Sequence, residues 1–495
     1  MEKVKSSARI FTRQEIDNLL SAAIGKTLEE VDKAGLFAHH EGKSKVTGIA
    51  GDVIEISVLG CERDSKQEPD IIVDGEQVEL KTTGLIKPKK KDSPYVYECK
   101  EPVSITAVSI PVIVKEEFET SNFWHKLAHV LWVYYWYNSP VTVKLDGYKN
   151  FPILGFQFYE FDETDRLRLK QDWLLVRDFL IVIHRDYSGQ EEREKQYPRL
   201  SHELRSQLML IDTAPKYPNP PRFRLKRSFA TVIANSYFSK KKLEKLSSPI
   251  TRFADIDAKC EELNKAYVGK SFAEIADALD VPLKNPKNFA EQVVLKMFGG
   301  KSKKMNRIDD FVKIGLIAKS LPLSYKGTPK EAMKMFTPDF NEWVNEVSFE
   351  ESFLRDYFAE HQFLFIVYQY KDKGDKDISS IKFIGFKRVM LTDEFINSEV
   401  MKCWSQVRSL IKEKRLVIEK IFRKDGTPII NPTSGVQREA PNFPKEAQCD
   451  VFLRGSGTDS SDKYKTLEIN GLRMLPQEIW LSKRTTLDLY LNQNL

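Results

Sequence analysis

The chain has 495 residues, of which 41% are hydrophobic, 11% aromatic and 30% charged, a composition typical of a folded protein with more than one domain. This composition excludes a mainly disordered chain, and the net charge of +6 permits a nucleic-acid partner without requiring one. The 5 cysteines include no CxxC pair, which excludes a disulfide framework and a zinc finger. A charged N-terminus and the lack of an apolar run of about 18 residues predict a soluble, cytoplasmic protein.

The predicted elements of the N-terminal half alternate between helices and strands, which indicates a mixed α/β fold. A capping box formed by Thr27 and Glu30 begins an early helix. An Asp-Gly hairpin follows at 70–83, then an aromatic strand at 130–137 and a helix around Trp173. A basic, proline-rich loop leads into the last predicted helix of this half.

Several segments of the N-terminal half recur in the same order further along the chain. The pairs are IGKTLEEV (24–31) with VGKSFAEI (268–275), AGDVIEISVLG (50–60) with AEQVVLKMFG (290–299), VLWVYY (130–135) with FLFIVY (363–368), KQDWLLVRDFL (170–180) with MKCWSQVRSLI (401–411), and LKRSF (225–229) with SKRTT (482–486). This long period predicts a duplicated domain. We expect one domain at 1–235, a linker at 236–265 and a second domain at 266–495.

The hairpin segment EPDIIVDGEQVELKTT carries its charges on one face. Asp74-Gly75 favours a two-residue type I′ turn, because both central residues of that turn need a positive φ. Counting back from the turn places Asp70 opposite Glu79, with Lys81 on the same face and apolar residues on the other. Opposed carboxylates repel each other unless a cation lies between them. Similar spacing also occurs by chance in solvated hairpins, so spacing alone leaves both interpretations open.

The charged face of this hairpin is chemically suited to a magnesium ion. Mg²⁺ takes oxygen ligands and shares its coordination shell with waters and substrate phosphates. Asp70 and Glu79 supply such oxygens, and Lys81 is placed to steady or deprotonate an attacking water. The pattern predicts Mg²⁺-assisted hydrolysis of a phosphodiester.

These residues also resemble a known nuclease motif. Pro69-Asp70 and the run from Glu79 to Lys81 resemble the PD-(D/E)xK motif. Together with GDVIE, HKLAHVLWV and RFRLKRSF in that order, the segment 20–235 is similar to the MutH mismatch-repair endonuclease and to the GATC-cutting type II restriction enzymes related to it. A fainter likeness covers the C-terminal half, as in the two-lobed restriction members of that family.

The resemblance implies two tandem MutH-like PD-(D/E)xK nuclease folds and assigns roles to five side chains of the first. Asp70 and Glu79 correspond to metal-binding carboxylates, and Lys81 to the motif lysine. Glu55 corresponds to an additional helix-borne acid, and Lys126 to a further active-site lysine. Without the resemblance, Glu55 and Lys126 would be taken for solvated helix charges.

The second domain has lost most of these side chains. In the order Glu55, Asp70, Glu79, Lys81 and Lys126, the aligned residues are Leu295, Asp310, Ile317, Lys319 and Ala359. One carboxylate and one lysine do not make a metal site, so we expect this domain to be catalytically degenerate and retained for binding DNA. Its segment DDFVKIGLIAKS is expected to keep a hairpin-like turn.

Three basic segments are candidates for neutralising DNA phosphates: KPKKK (87–91), PKYPNPPRFRLKR (215–227) and KSKKMNR (301–307). The predicted DNA contacts are Lys89, Lys90, Lys216, Lys226 and Arg227. The resemblance places base recognition in loops before the final helix of each domain, at 202–216 and 452–463. The GATC site follows from kinship and not from these side chains.

The prediction as a whole is a Mg²⁺-dependent type II restriction endonuclease that cuts double-stranded DNA at a short palindromic site, GATC by kinship. One active site per chain cuts one strand at a time, so we expect two chains to pair on DNA. One alternative is a strand-nicking mismatch-repair endonuclease of MutH type, which needs a single lobe. The other is a sequence-specific DNA-binding protein without catalysis.

Overall fold

The computed structural model describes residues 9–40, 48–62, 68–88, 93–139, 143–216, 219–283, 285–346, 348–374 and 377–492. The chain divides into two compact units. The first unit contains residues 1–139, 143–256 and 305–315, and the second contains 257–304 and 316–495. The predicted linker at 236–265 holds the end of one helix and most of the next, and 305–315 belongs to the first unit.

The strands are numbered in chain order across both units. They are β1 (Ile10–Phe11), β2 (Ile71–Val73), β3 (Glu76–Ile86), β4 (Glu98–Cys99), β5 (Val103–Ala107), β6 (Val130–Trp136), β7 (Ile153–Tyr159), β8 (Ile211–Lys216), β9 (Asn219–Leu225), β10 (Leu316–Leu323), β11 (Met333–Lys334), β12 (Gln362–Gln369), β13 (Lys382–Val389), β14 (Ile418–Lys420), β15 (Glu439–Pro441), β16 (Val451–Gly455), β17 (Leu467–Ile469), β18 (Leu472–Met474) and β19 (Gln477–Leu481).

The helices lie between and beside these strands along the chain, which is consistent with a mixed α/β fold. They are α1 (Arg13–Ser21), α2 (Leu28–Val31), α3 (Leu36–His39), α4 (Ile49–Asp52), α5 (Ile110–Ile113), α6 (Asn122–Ala128), α7 (Leu145–Tyr148), α8 (Glu163–Asp186), α9 (Gln190–Glu194), α10 (Pro198–Glu203), α11 (Arg227–Phe238), α12 (Phe253–Tyr267), α13 (Phe272–Leu279), α14 (Pro286–Met297), α15 (Asp309–Lys313), α16 (Phe340–Asn345), α17 (Phe353–Glu360), α18 (Asp393–Phe395), α19 (Met401–Lys412) and α20 (Lys483–Asn492). Within the described ranges, no helix combines the length and apolarity needed to cross a bilayer.

The larger sheet of the first unit has the strand order β1-β2-β3-β6-β7, with β4 attached to β3. Strand β3 runs parallel to β6, whereas β2 and β3 form an antiparallel hairpin. Residues 130–134 of β6 are all buried, which explains the nearly continuous apolar sequence of this strand. A smaller sheet of the same unit has the order β5-β9-β8.

The β2–β3 hairpin has the predicted register. Ile71 pairs with Val78, and Asp74 (φ 51°) and Gly75 (φ 91°) supply the positive φ angles of the turn. The apolar face is buried in the core of the unit, with exposures of 1% for Ile71, 3% for Val78 and 7% for Leu80. The local prediction is confirmed because turn type and side-chain alternation together determine the register over a few residues.

The predicted hairpin in DDFVKIGLIAKS is wrong in its first half, because Asp309–Lys313 forms helix α15. This helix belongs to the first unit, where Asp310 pairs with Arg168 and Lys313 Nζ lies 2.6 Å from Asp165 Oδ2. All four of these side chains are buried. Asp310 therefore completes a buried ion-pair network of the first unit and is not a second-unit counterpart of Asp70.

The second unit is built around β10, β12 and β13. Strand β10 runs parallel to β12, and β13 runs antiparallel to it. A second sheet has the order β11-β19-β16, and β14-β15 and β17-β18 form separate two-stranded pairs. Buried aromatic residues, including Trp343, Phe358 and Phe365, fill the core of this unit.

Candidate active site

The charged face of the β2–β3 hairpin is organised around Glu79, whose side chain is 2% exposed. Lys126 Nζ donates to both carboxylate oxygens, at 3.0 Å and 2.9 Å, and Lys81 Nζ donates to Oε1 at 2.5 Å. A buried carboxylate is costly unless it is paired and hydrogen-bonded. Two ammonium groups meet that requirement here.

Helix α6 places Lys126 beside the strand. Ser121 Oγ caps the helix by accepting a backbone N–H from its first turn, and Leu127 is 1% exposed in the unit's interior. At the end of the helix the carbonyl of His129 accepts a hydrogen bond from Glu79 N at 3.0 Å. The parallel pairing of β3 with β6, which follows α6 directly, therefore brings the Lys126 ammonium to the Glu79 carboxylate.

Asp70 immediately precedes β2, and its carboxylate is close enough to Glu79 for the two negative charges to interact. Its Oδ2 accepts a hydrogen bond from Leu80 N at 2.9 Å, and no donor within the described ranges bonds to Oδ1. Burial, followed by the negative charge of Glu79, raises the pKa of Asp70. The site therefore holds a carboxylate whose charged form needs further compensation.

Glu55 lies on a π-helical turn, Val53–Val58, that continues α4. Such turns are rare and occur often at functional sites. Burial, followed by the charge of Asp70, raises the pKa of Glu55. The structure thus brings Glu55 into the electrostatic environment of Asp70, although the two are separated in sequence.

Arg9, which is not among the site residues predicted from the sequence, contacts both acidic segments. Its Nη2 donates to Glu55 Oε1 at 2.9 Å and to the Glu62 carbonyl at 2.5 Å, and its Nη1 donates to the Asp70 carbonyl at 2.5 Å. Arg9 directly precedes β1, and the parallel pairing of β1 with β2 carries it to the site. Nothing in the local sequence distinguishes this arginine. The apolar Ile10-Phe11 pair beside it is the one hint of a short strand.

The three acids and three bases of the site balance in formal charge. The acids are Glu55, Asp70 and Glu79, and the bases are Arg9, Lys81 and Lys126. Within the described residues, no group of three or more His, Cys, Asp or Glu side chains could hold a metal ion. Mg²⁺ needs fewer protein ligands, because one or two carboxylates with waters and substrate phosphates suffice. The hard oxygens of Asp70 and Glu79 fit that requirement.

Three of the predicted DNA contacts cannot be assigned a position for their side chains. Lys89 and Lys90 lie outside the described residues. The backbone of Lys216 ends β8 and pairs with Asn219, and its side chain lies outside the described part of the structure. All three remain predictions.

The other two predicted DNA contacts have bonding partners inside the first unit. Lys226 is 2% exposed, and its Nζ donates to the Leu208 carbonyl at 2.5 Å. Arg227 Nε donates to the Cys99 carbonyl at 2.5 Å, and Nη2 lies 3.5 Å from Glu98. These contacts anchor α11, and the buried Lys226 presents no surface to a phosphate.

Comparison with known proteins finds two that are similar to this chain. The profile described as "DNA mismatch repair enzyme MutH" matches residues 59–172, a range that includes Asp70, Glu79, Lys81 and Lys126. The type II restriction enzyme Sau3AI of Staphylococcus aureus is 25% identical over 432 residues, covering 81% of each chain.

The chain is a site-specific deoxyribonuclease that is similar to the MutH endonuclease over residues 59–172, and DNA is its substrate. Enzymes of this kind generally use a divalent metal ion, which agrees with the carboxylate oxygens at Asp70 and Glu79.

We expect Arg9→Ala to lower kcat/KM for DNA cleavage by about 10-fold or more, the usual cost of removing a partner that orients active-site ligands. Arg9→Lys keeps the charge but cannot donate to three acceptors in a fork, so an intermediate loss is expected. Arg13→Ala, which removes an exposed arginine paired with Asp17, is the matched control. Equal rates for the Arg9→Ala and Arg13→Ala enzymes would contradict a positioning role.

We expect Asp70→Asn to abolish cleavage and yet stabilise the metal-free protein at pH 7. The pKa of the Asp70 carboxyl is raised in the folded state, so the folded protein favours the protonated form. The stability that this preference contributes is present below the pKa of the unfolded chain and is lost as the pH rises through the folded-state pKa. Asn mimics the protonated form at every pH and can still accept from Leu80 N. The first-unit melting temperature should rise by about 2–4 °C at pH 7.

The stability difference should vanish near pH 3, below the ordinary Asp pKa of about 3.9. Asp17→Asn, at a partly exposed position that is ion-paired with Arg13, controls for the loss of one negative charge. An unchanged or lower melting temperature for Asp70→Asn at pH 7, measured by calorimetry, would show that burial does not destabilise the charged carboxylate.

Proposed function

We propose that the protein is a type II restriction endonuclease that cuts both strands of DNA at a short palindromic site, GATC, with Mg²⁺ as cofactor and in the cytoplasm. The observation that carries the proposal is the buried Glu79 held between Lys81 and Lys126, with Asp70 beside it. The alignment with Sau3AI over 81% of the chain supports the restriction activity and its site.

The proposed mechanism gives each side chain of the site a separate task. Asp70 and Glu79 would hold the divalent cation, which supplies positive charge beside the scissile phosphate when bound. Lys81 orients the attacking water and offsets charge that develops on the phosphate oxygens. Lys126 fixes the orientation of Glu79, since it donates to both carboxylate oxygens. Arg9 holds Glu55 at the edge of the same site.

We further propose that the second unit is a degenerate copy retained for DNA binding. The register of its parallel strands supports this interpretation. In the first unit Glu79 pairs with Val130, and in the second Ile317 pairs with Phe363. These are the residue pairs that the internal sequence repeat aligns, so Ile317 occupies the strand position of Glu79.

The side chains around Ile317 also support degeneracy. Lys319 Nζ donates to the carbonyls of Lys334 and Met335, at 2.6 Å and 3.1 Å. Leu295 is 0% exposed, and Ala359 packs against the apolar core. The positions that are charged in the first unit thus contact carbonyls or apolar groups in the second.

A strand-nicking activity is the second candidate, because the matched profile is that of a mismatch-repair enzyme. The presence of a second unit favours the restriction enzyme, because a strand-nicking repair enzyme needs a single lobe. The alignment with Sau3AI favours it as well. The two activities differ in the product, which is a double-strand break for one and a single-strand nick for the other.

Digestion of a sequenced plasmid with Mg²⁺ tests the proposal. We expect double-strand breaks whose ends map to GATC, and we expect Lys81→Ala to bind the same DNA while cutting at least about 1,000-fold more slowly. Lys26→Ala, at an exposed position of the first unit, should cut at the wild-type rate. Nicks alone would indicate the repair-type activity, and binding without cleavage by the wild type would indicate a non-catalytic DNA-binding protein.

Pairing of two chains on DNA follows from one active site per chain. We expect the cleavage rate of a short one-site duplex to rise more than linearly with enzyme concentration and to increase when uncleavable site-bearing DNA is added. The matched control is the same DNA with a scrambled site. A linear dependence with no stimulation would indicate that one chain nicks the two strands in turn.

A further inference from the structure

The second unit carries an exposed ribbon at 417–441, called here the arm. Strands β14 and β15 pair at its base, and its outer part contains two tight turns, at 423–427 and 431–436. None of the residues 417–440 is buried. At its base the partly buried Ile418 packs against the core of the unit.

Backbone hydrogen bonds define the shape of the arm. Ile421 N donates to the Arg438 carbonyl at 2.9 Å, Ile429 N donates to the Ile421 carbonyl at 3.0 Å, and Arg438 N donates to the Ile429 carbonyl at 2.8 Å. Asp425 Oδ1 accepts from Thr427 N at 2.9 Å and closes the first turn. The arm is therefore a preformed ribbon held together by its own backbone hydrogen bonds.

Four basic side chains lie along the arm: Lys420, Arg423, Lys424 and Arg438. All four are exposed, and within the part of the chain that the structure describes none forms an ion pair with a carboxylate. Unpaired cations on one ribbon create a local positive potential that attracts a polyanion.

The acidic side chains of the arm do not cancel this charge. Glu419 lies 3.5 Å from Lys445, and Glu439 lies 2.5 Å from Lys465, so two acids are paired with lysines outside the arm. The third, Asp425, is hydrogen-bonded within its own turn. Between 420 and 438 the arm thus carries four cations and one acid.

Apolar side chains lie exposed among these cations. Val417 is 48% exposed, Phe422 52% and Ile430 42%. Exposed apolar side chains beside basic ones are suited to contacts with sugars and thymine methyl groups, next to phosphate contacts. A purely solvated face would not need them.

The arm also contacts the loop that the sequence analysis selected for base recognition. Asn431 Nδ2 donates to the Thr458 carbonyl at 3.0 Å, and Glu439 N donates to Ser460 Oγ at 3.2 Å. The arm and the loop at 456–463 therefore form one continuous surface of the second unit.

We propose that the arm is the element by which the second unit enters a groove of double-stranded DNA. This inference rests on the proposed function, because it assigns a surface to the DNA binding proposed for the second unit. A two-stranded ribbon fits the major groove, which is about 12 Å wide. Lys420, Arg423, Lys424 and Arg438 contact phosphates on both sides of the groove, and Phe422 contacts the bases or sugars between them.

Charge removal tests the proposal. In the arm variant Lys420, Arg423, Lys424 and Arg438 are replaced by Ala. In the control variant four exposed lysines elsewhere in the second unit are replaced by Ala: Lys326, Lys371, Lys373 and Lys382. Both lose four positive charges. We expect the arm variant to bind a GATC duplex at least about 10-fold more weakly, and the slope of log K against log salt to fall by about 3 to 4, since each phosphate contact contributes about 0.9.

The control variant should stay within about 2-fold of the wild type with an unchanged slope. Equal binding by the two variants would overturn the role of the arm. Magnesium-dependent cleavage by the wild type is measured on the same duplex. If the wild type cleaves the duplex and the two variants bind it equally well, the role of the arm is rejected and the proposed function stands. If the wild type neither binds nor cleaves the duplex, the proposed function is rejected as well.

Tethered cleavage locates the arm on DNA without relying on a loss of affinity. All five native cysteines are buried, so a thiol introduced at the surface can be labelled selectively. Arg423→Cys carrying an iron chelate, in a Lys81→Ala background, should cut both strands at positions that flank one groove. Lys373→Cys with the same label is the control. Background cutting by both labelled proteins would overturn the proposal.

Discussion

The site depends on keeping the Glu79 carboxylate in an interior that leaves it 2% exposed. A lone buried carboxylate would be unstable there, so two ammonium groups must reach it. Lys81 comes from the same strand, two residues along, and needs only the alternation of side chains. Lys126 comes from α6 and needs the parallel pairing of β3 with β6, which a hairpin alone cannot provide. The central sheet pairing of the first unit is therefore also the condition for its active site.

The formal charges of the site sum to zero, but two of its carboxyl groups still have raised pKa values. Burial raises the pKa values of Asp70 and Glu55, and so do the charge of Glu79 beside Asp70 and the charge of Asp70 beside Glu55. Arg9 contacts both segments. Function and stability are opposed at such a site, which proteins commonly tolerate where a ligand is to be bound. A divalent cation would stabilise the charged forms of these buried carboxyl groups, and the neighbouring bases hold the acids in place without it.

Comparison of the two units shows which features the parallel strand pairing needs and which it does not. Its β10–β12 pair keeps the parallel register of β3–β6, yet Ile317 stands where the first unit has Glu79. The pairing therefore does not need the buried charges. The unit also presents a surface of its own, since its basic arm leaves four cations exposed. On the proposed function, one unit supplies the reaction and the other supplies a second hold on DNA.

The local chemistry of the hairpin could be predicted from its residues. Asp74-Gly75 sets the turn, and alternation places Asp70, Glu79 and Lys81 on one face, because a two-residue turn specifies the register of its strands. The remaining contacts of the site depend on how distant segments pack. Arg9 reaches the Asp70 carbonyl across 61 residues through parallel pairing, Lys226 is drawn into the interior, and Asp310 pairs with Arg168 across 142 residues. Periodicity reports which face a residue occupies, but contacts between distant segments depend on how the strands and helices pack.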